Sequence, residues 1–275
     1  MAGVVLLEVV GGVATVTLNR PEARNAMSTE LIAALTDCVA AADADGEVAV
    51  LVLTGADPAF CAGLDLKELG RDGGPLRRRA PGSGAGAGGS AGSGPAPGTV
   101  HRGRGPTLPT TKPIIGAVNG AAVTGGLELA LQCDFLVASE RASFADTHAR
   151  VGVHPLWGLT VLLPGAVGIR RAREMSATGN YVDAGRALEW GLVNHVVPHD
   201  ELLPFARRLA ADVVTADPAA VAAILSTYDA TGRVTGAEAW GVELARAADF
   251  QRSGVDPADI ERRRTSVVRR GRSQI

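Results

Sequence analysis

Residues 113 to 134, PIIGAVNGAAVTGGLELALQCD, constrain the fold more than any other stretch of this chain. Pro113 to Val118 reads as a short buried strand, Asn119-Gly120 as a turn, and Leu127 to Leu131 as an apolar helical run. A helix start near Gly125-Gly126 follows. With no Cβ on either glycine, a ligand oxygen can approach the backbone closely. The free first-turn N–H groups would point at it with the positive end of the helix dipole behind them. Such an arrangement is half of an oxyanion hole. Glu128 lies three residues beyond Gly125, on the same side of the first turn, so its carboxylate would stand beside whatever that amide holds. A glycine-padded helix start with an acid favoured by the dipole would carry the same residues.

A second segment upstream could supply the other half. Glu47 to Thr54 (EVAVLVLT) is a β-branched run without alternation, the pattern of a strand covered on both faces in an α/β fold. It feeds Gly55, Pro58 and then AFCAGLDLKEL, and chemistry in open α/β sheets gathers at such strand ends. Ala59 to Asp65 reads as a tight turn presenting one backbone amide. Earlier in the chain, VVLLEVV and VATVTL around Gly11-Gly12 read as a hairpin. Ser28 caps a helix with Leu31, Leu35, Cys38, Val39 and Ala42 on one face.

Composition narrows the partners. At 275 residues, 46% apolar and 20% charged, the chain can bury a large core in one domain plus an appendage. A net charge of -2 gives no electrostatic case for nucleic acid, and no run is long and apolar enough to span a bilayer. The arginines cluster locally, at Arg77-Arg78-Arg79, Arg102, Arg104 and the tail ERRRTSVVRRGR from Glu261 to Arg272, as solvated faces or as partners for phosphate. Cys38, Cys61 and Cys133 show no CxxC spacing, so neither a disulfide framework nor a zinc knuckle is suggested, and a reducing cytosol fits. His195 and His199 stand four apart like zinc ligands, but Pro198 between them argues against one helix face, and no metal site is expected.

Residues 72 to 106 are low in complexity and expected to form a mobile loop. Gly84, Gly86 and Gly89 satisfy GxGxxG there, and residues 88 to 92 satisfy GxSxG. Both are rejected, since a dinucleotide fingerprint or a nucleophile elbow must follow a strand and open a helix.

Taken together, FCAGLDLKEL at 60 to 69 and KPIIGAVNGAAVTGGLELALQCDF at 112 to 135 resemble the enoyl-CoA hydratase/isomerase family, also called the crotonase superfamily. RPEARNAMS at 20 to 28 resembles its early segment beside the acyl-CoA. ASFADTHARVGVHPLWGLTVLLPGAVG at 142 to 168 resembles its second catalytic segment, and EMSATGNYVDAGRALEWGLVNHVVPHDEL at 174 to 202 its helical exit. The resemblance implies an α/β fold: a crotonase-type ββα spiral core over residues 1–195, with the flexible Gly-rich insertion at about 72–106, then a C-terminal helical oligomerisation segment at 196–275. Apolar residues at helical spacing in LLPFARRLAADVV and PAAVAAIL suit packing against a neighbouring subunit.

By the same resemblance, the amides of Leu64 and Gly125 receive the thioester carbonyl oxygen. Arg24, Ala26, Ala62, Asp65, Leu66 and Lys67 meet the acyl-CoA. Glu128 holds and activates water. The family's hydratases place a second glutamate where this chain has His148, a departure from the pattern. An imidazole titrates at about 6.5 and can donate or accept at neutral pH, while Asp146, two residues away, could orient the ring or act as the acid. The implied activity is reversible hydration of a 2-enoyl-CoA to a 3-hydroxyacyl-CoA. It needs no metal or redox cofactor, in a cytoplasmic homotrimer or hexamer. Isomerisation, thioester hydrolysis, retro-aldol cleavage and non-catalytic CoA-thioester binding are the alternatives.

Overall fold

Strand β3 (Val50–Gly55) is buried along its whole length, as a run without alternation requires. In the computed structural model, which describes residues 3–72, 108, 110–232 and six positions between 238 and 249, its two faces enter different cores. Leu51 and Leu53 join a cluster with Leu31, Leu35 and Val39 of helix α1 (Thr29–Ala44), whereas Val50 and Val52 join Leu202, Ala206 and Ala210 of helix α8 (Leu202–Val214). The glycine-rich segment with its two motif matches, Arg77-Arg78-Arg79, Arg102, Arg104 and the basic tail lie outside the described residues.

Around β3 the chain alternates between two sheets. The first has the order β1-β2-β3-β5-β7-β10: the hairpin β1 (Val5–Val10) and β2 (Val13–Leu18) is antiparallel. The strands β3, β5 (Ile114–Val118), β7 (Phe135–Ser139) and β10 (His195–Val197) then add in parallel. The second has the order β4-β6-β8-β9, with β4 (Ala59–Cys61), β6 (Ala121–Val123) and β8 (Ser143–Ala145) parallel and β9 (Val182–Asp183) antiparallel to β8. Each of β3, β5 and β7 is followed by its partner in the second sheet and then by a helix: α2 (Leu66–Asp72), α3 (Gly125–Leu131) and α4 (His148–Val151). This is the expected ββα spiral. Its repetition stacks the three strand-to-helix junctions on one another, which brings segments far apart in sequence into one site.

Local signals behave as physical chemistry dictates. Ser28 Oγ accepts from Leu31 N at 3.2 Å and starts α1, whose buried face is Leu31, Leu35, Val39 and Ala42. Two expectations are corrected. Ala59 to Asp65 is not all turn: Ala59–Cys61 pairs with β6 before the chain bends at Gly63. The apolar side of LLPFARRLAADVV packs on the chain's own sheet, so α8 falls in the first compact unit, Met1–Pro218. Between α4 and α8 run α5 (Leu159–Val167), α6 (Ile169–Thr178) and α7 (Ala184–Trp190). The second unit, Ala219–Ile275, holds nearly all of α9 (Pro218–Thr231). No single helix among the described residues is long and apolar enough to cross a membrane.

Candidate active site

The site forms where the first turn of α3 meets the β4–α2 bend. A Cβ on Gly126 would lie 2.0 Å from Cys61 O, and one on Gly63 (φ 91°) would lie 2.8 Å from Val123 O. Gly125 is nearly as crowded, since its Cβ would meet Met27 Cε at 2.7 Å. The glycines therefore let two protein backbones pass at contact distance, a stricter demand than the room for a ligand that the sequence suggested. The Leu64 and Gly125 amides make none of the backbone bonds at this junction. Gly125, as the first residue of α3, has no intrahelical acceptor. Leu64 lies opposite Met27 in a parallel bridge, where Met27 N donates to Gly63 O and Asp65 N donates to Met27 O, so the Leu64 amide takes part in neither bond.

One turn into α3 stands Glu128, only 2% exposed, and facing it is His148, 5% exposed, with Asp146, 2% exposed, behind. His148 Nε2 lies 3.4 Å from Glu128 Oε2, and His148 Nδ1 lies 2.6 Å from Asp146 Oδ1. The other Glu128 oxygen, Oε1, accepts from Trp157 N at 2.7 Å and from Leu159 N at 3.4 Å, so it also caps α5, whose own N-cap, Gly158, offers no side chain. Burial alone would discharge the His148 ring, but hydrogen bonds and the negative charge of Asp146 and Glu128 outweigh it and push the imidazole up to about 9. Asp146 moves the other way: burial favours its neutral form, yet hydrogen bonds from His148 and Ser176 hold its carboxyl below the usual range. At neutral pH the site thus presents an imidazolium clamped between acids. The structure brings Glu128 and His148 into contact and sets the Gly63–Leu64 bend beside Gly125 at the start of α3.

The expected acyl-CoA residues are more dispersed in function. Arg20 reaches Ala26 O at 2.5 Å and Asp65 Oδ2 at 3.1 Å. Asp65 Oδ1 accepts from Lys67 N and Glu68 N at the start of α2. Ala62 N donates to Arg24 O, Arg24 is exposed, and Leu66 is 59% exposed. A cleft of about 420 Å³ is lined by Arg20, Ser28, Thr29, Asp65, Lys67 and the neighbouring Glu30 and Glu68. Asp65 and Lys67 therefore face a cleft, while Ala26 O holds Arg20 in its wall. Arg20, Trp157 and the pair Thr124 and Thr147 were not singled out from the sequence. Arg20 stood in a matched segment, whereas nothing in the order of residues marks a contact between Glu128 and Trp157.

His195 and His199 do not act together: the His195 ring packs on Phe205 at 5.0 Å, while His199 bonds Ser139 and Asp57 beyond Pro198.

Residues 8–79 and 107–255 match the family model described as enoyl-CoA hydratase/isomerase. The chain belongs to the enoyl-CoA hydratase/isomerase family. A crystal structure of enoyl-CoA hydratase from Mycobacterium smegmatis is 46% identical, covers 92% of this chain and 100% of its own, and superposes with a TM-score of 0.70. The enoyl-CoA hydratase structure from Bacillus anthracis, 27% identical, covers 96% of each chain with a TM-score of 0.80. A probable peroxisomal enoyl-CoA hydratase of Arabidopsis thaliana is 34% identical over 261 residues, 95% of this chain and 91% of that protein.

Proposed function

We propose that this protein adds water reversibly across the C2–C3 bond of a 2-enoyl-CoA to give a 3-hydroxyacyl-CoA. The observation that carries the reading is the buried contact between Glu128 and the charged His148, one turn from the Gly125 amide. The Leu64 and Gly125 amides receive the thioester oxygen and stabilise the enolate, each worth about 10²–10³ in rate by analogy with other oxyanion holes. Glu128 takes a proton from water as the water oxygen bonds to C3. The C2–C3 π electrons move toward C2 and the thioester oxygen, and His148 delivers its Nε2 proton to C2. Glu128 is then protonated and His148 neutral, and transfer across their 3.4 Å contact resets both. One water is consumed and no electrons are exchanged, so the reaction calls for no metal or redox cofactor, coenzyme A being part of the substrate.

Arg24, Ala26, Ala62, Asp65, Leu66 and Lys67 belong to the acyl-CoA side of this reading, and a homotrimer or dimer of trimers in the cytoplasm completes it. The test is incubation with a 2-enoyl-CoA in ¹⁸O-labelled heavy water, followed by mass analysis. Label from the water oxygen at C3 together with deuterium at C2 is expected. Unlabelled substrate recovered after long incubation would leave a CoA-thioester-binding protein instead, and deuterium without ¹⁸O would point to isomerisation.

A further inference from the structure

Two threonine hydroxyls join the halves of the site. Thr124 Oγ1 and Thr147 Oγ1 lie 2.5 Å apart, one directly before Gly125 and the other between Asp146 and His148. The backbone supports the same junction: Thr124 N donates to Ala145 O at 2.9 Å, and Thr124 O accepts from Glu128 N at 3.0 Å. Thr124 holds φ 54° and ψ -115°, a conformation that glycine adopts without strain and a β-branched residue adopts only when its surroundings impose it. A glycine would satisfy this turn with less strain, so what the threonine adds is its side chain, and the hydroxyl's partner is Thr147.

We infer that the Thr124–Thr147 pair is a positioning element that sets the approach of the His148 ring to Glu128. The charged groups facing that ring are Asp146 from the preceding loop and Glu128 from α3. Asp146 moves with His148, whereas Glu128 sits on a different element, joined to that loop through the β6–β8 ladder, the Thr124 N to Ala145 O bond and, at the side chains, this hydroxyl pair. The inference rests on the proposed hydratase chemistry for its kinetic consequence, and on geometry alone for its effect on the ring.

The test compares Thr124→Gly, Thr124→Ser and Thr147→Val in the full chain, with thermal melts to confirm folding. Two readouts are taken: kcat and KM for a 2-enoyl-CoA across pH, and the titration midpoint of the His148 ring by NMR. Thr124→Gly and Thr147→Val should each lower kcat by about tenfold with KM nearly unchanged, since a small misplacement of reacting groups acts on the chemical step. Both should also move the His148 midpoint downward as Glu128 recedes. Thr124→Ser keeps the hydroxyl and should restore kcat and midpoint. A glycine variant with the parent's midpoint and kcat, or a serine variant no better than glycine, overturns the inference. If the parent itself adds no water, the hydratase reading fails while the ring titration still decides the positioning claim. Should the glycine variant fail to fold, Thr147→Val decides it by the same midpoint.

Discussion

Glu128 is asked to do two things with two oxygens. Oε1 accepts the Trp157 and Leu159 amides and Oε2 faces His148, so one side chain both pins the loop before α5 and serves the proposed chemistry. Glu128→Gln keeps an oxygen for Trp157 N but loses the base and the charge facing His148, and is expected to lower kcat at least about 100-fold with a moderate fall in the thermal midpoint. Glu128→Ala removes both, and a buried amide left without its charged acceptor should destabilise the fold by about 1.5–3 kcal/mol, read by denaturant titration. His148 needs a similar reading. His148→Glu restores the carboxylate pair of the family's hydratases, yet Asp146 Oδ1, 2.6 Å from the present ring, would then face a third buried acid. His148→Glu alone is therefore expected to be slow and less stable, and adding Asp146→Asn should recover turnover. A fast single variant with a parental melt would show that Asp146 exerts no such repulsion.

Elements place these residues by close approach, and here the sequence was partly legible. The unalternating run at Glu47 to Thr54 disclosed a strand with two buried faces, though it begins only at Val50, Ser28 disclosed its helix cap, and the glycine pair disclosed the start of α3. The purpose of the glycines was less visible, because a missing Cβ reads alike whether a ligand or another backbone fills the space. Gly126→Ala would set a Cβ 2.0 Å from Cys61 O, a backbone atom held in β4, so the junction must open. Loss of several kcal/mol of stability, about 2–5 kcal/mol, and loss of turnover together are expected from denaturant melts and the hydration assay. The left-handed Thr124 and the loop contact from Trp157 to Glu128 have no signature in residue order, since one is imposed by tertiary bonds and the other spans distant segments. Helix α8 misled for a further reason: Leu202, Ala206 and Ala210 recur at the same spacing whether they meet the chain's own sheet or another subunit.

At the scale of the whole molecule, a buried imidazolium ties stability to pH. The His148 ring has its folded value raised to about 9 against an unfolded reference of about 6.5, so the folded chain binds the proton more tightly than the unfolded chain does. The resulting stabilisation is fully present below the unfolded value, and it is lost as pH rises through the folded one. Asp146, whose folded value is depressed by the same contact, contributes above the unfolded aspartate value, and that share is lost as pH falls through its folded value. The two statements describe one interaction, so they are not added. Burial of all three groups means that solvent screens the contact little, and the loss between about pH 6.5 and about pH 9 should amount to a few kcal/mol. Denaturant midpoints of the parent are therefore expected to decline across that interval. His148→Gln has no proton to lose and should give a flat profile in the same interval, beginning from a lower midpoint because the cation that faces Asp146 and Glu128 is gone. A parent profile as flat as the variant's would mean that the ring enters the fold neutral. Proton delivery to C2 would then have to begin from another donor, with the oxyanion amides and Glu128 left in place.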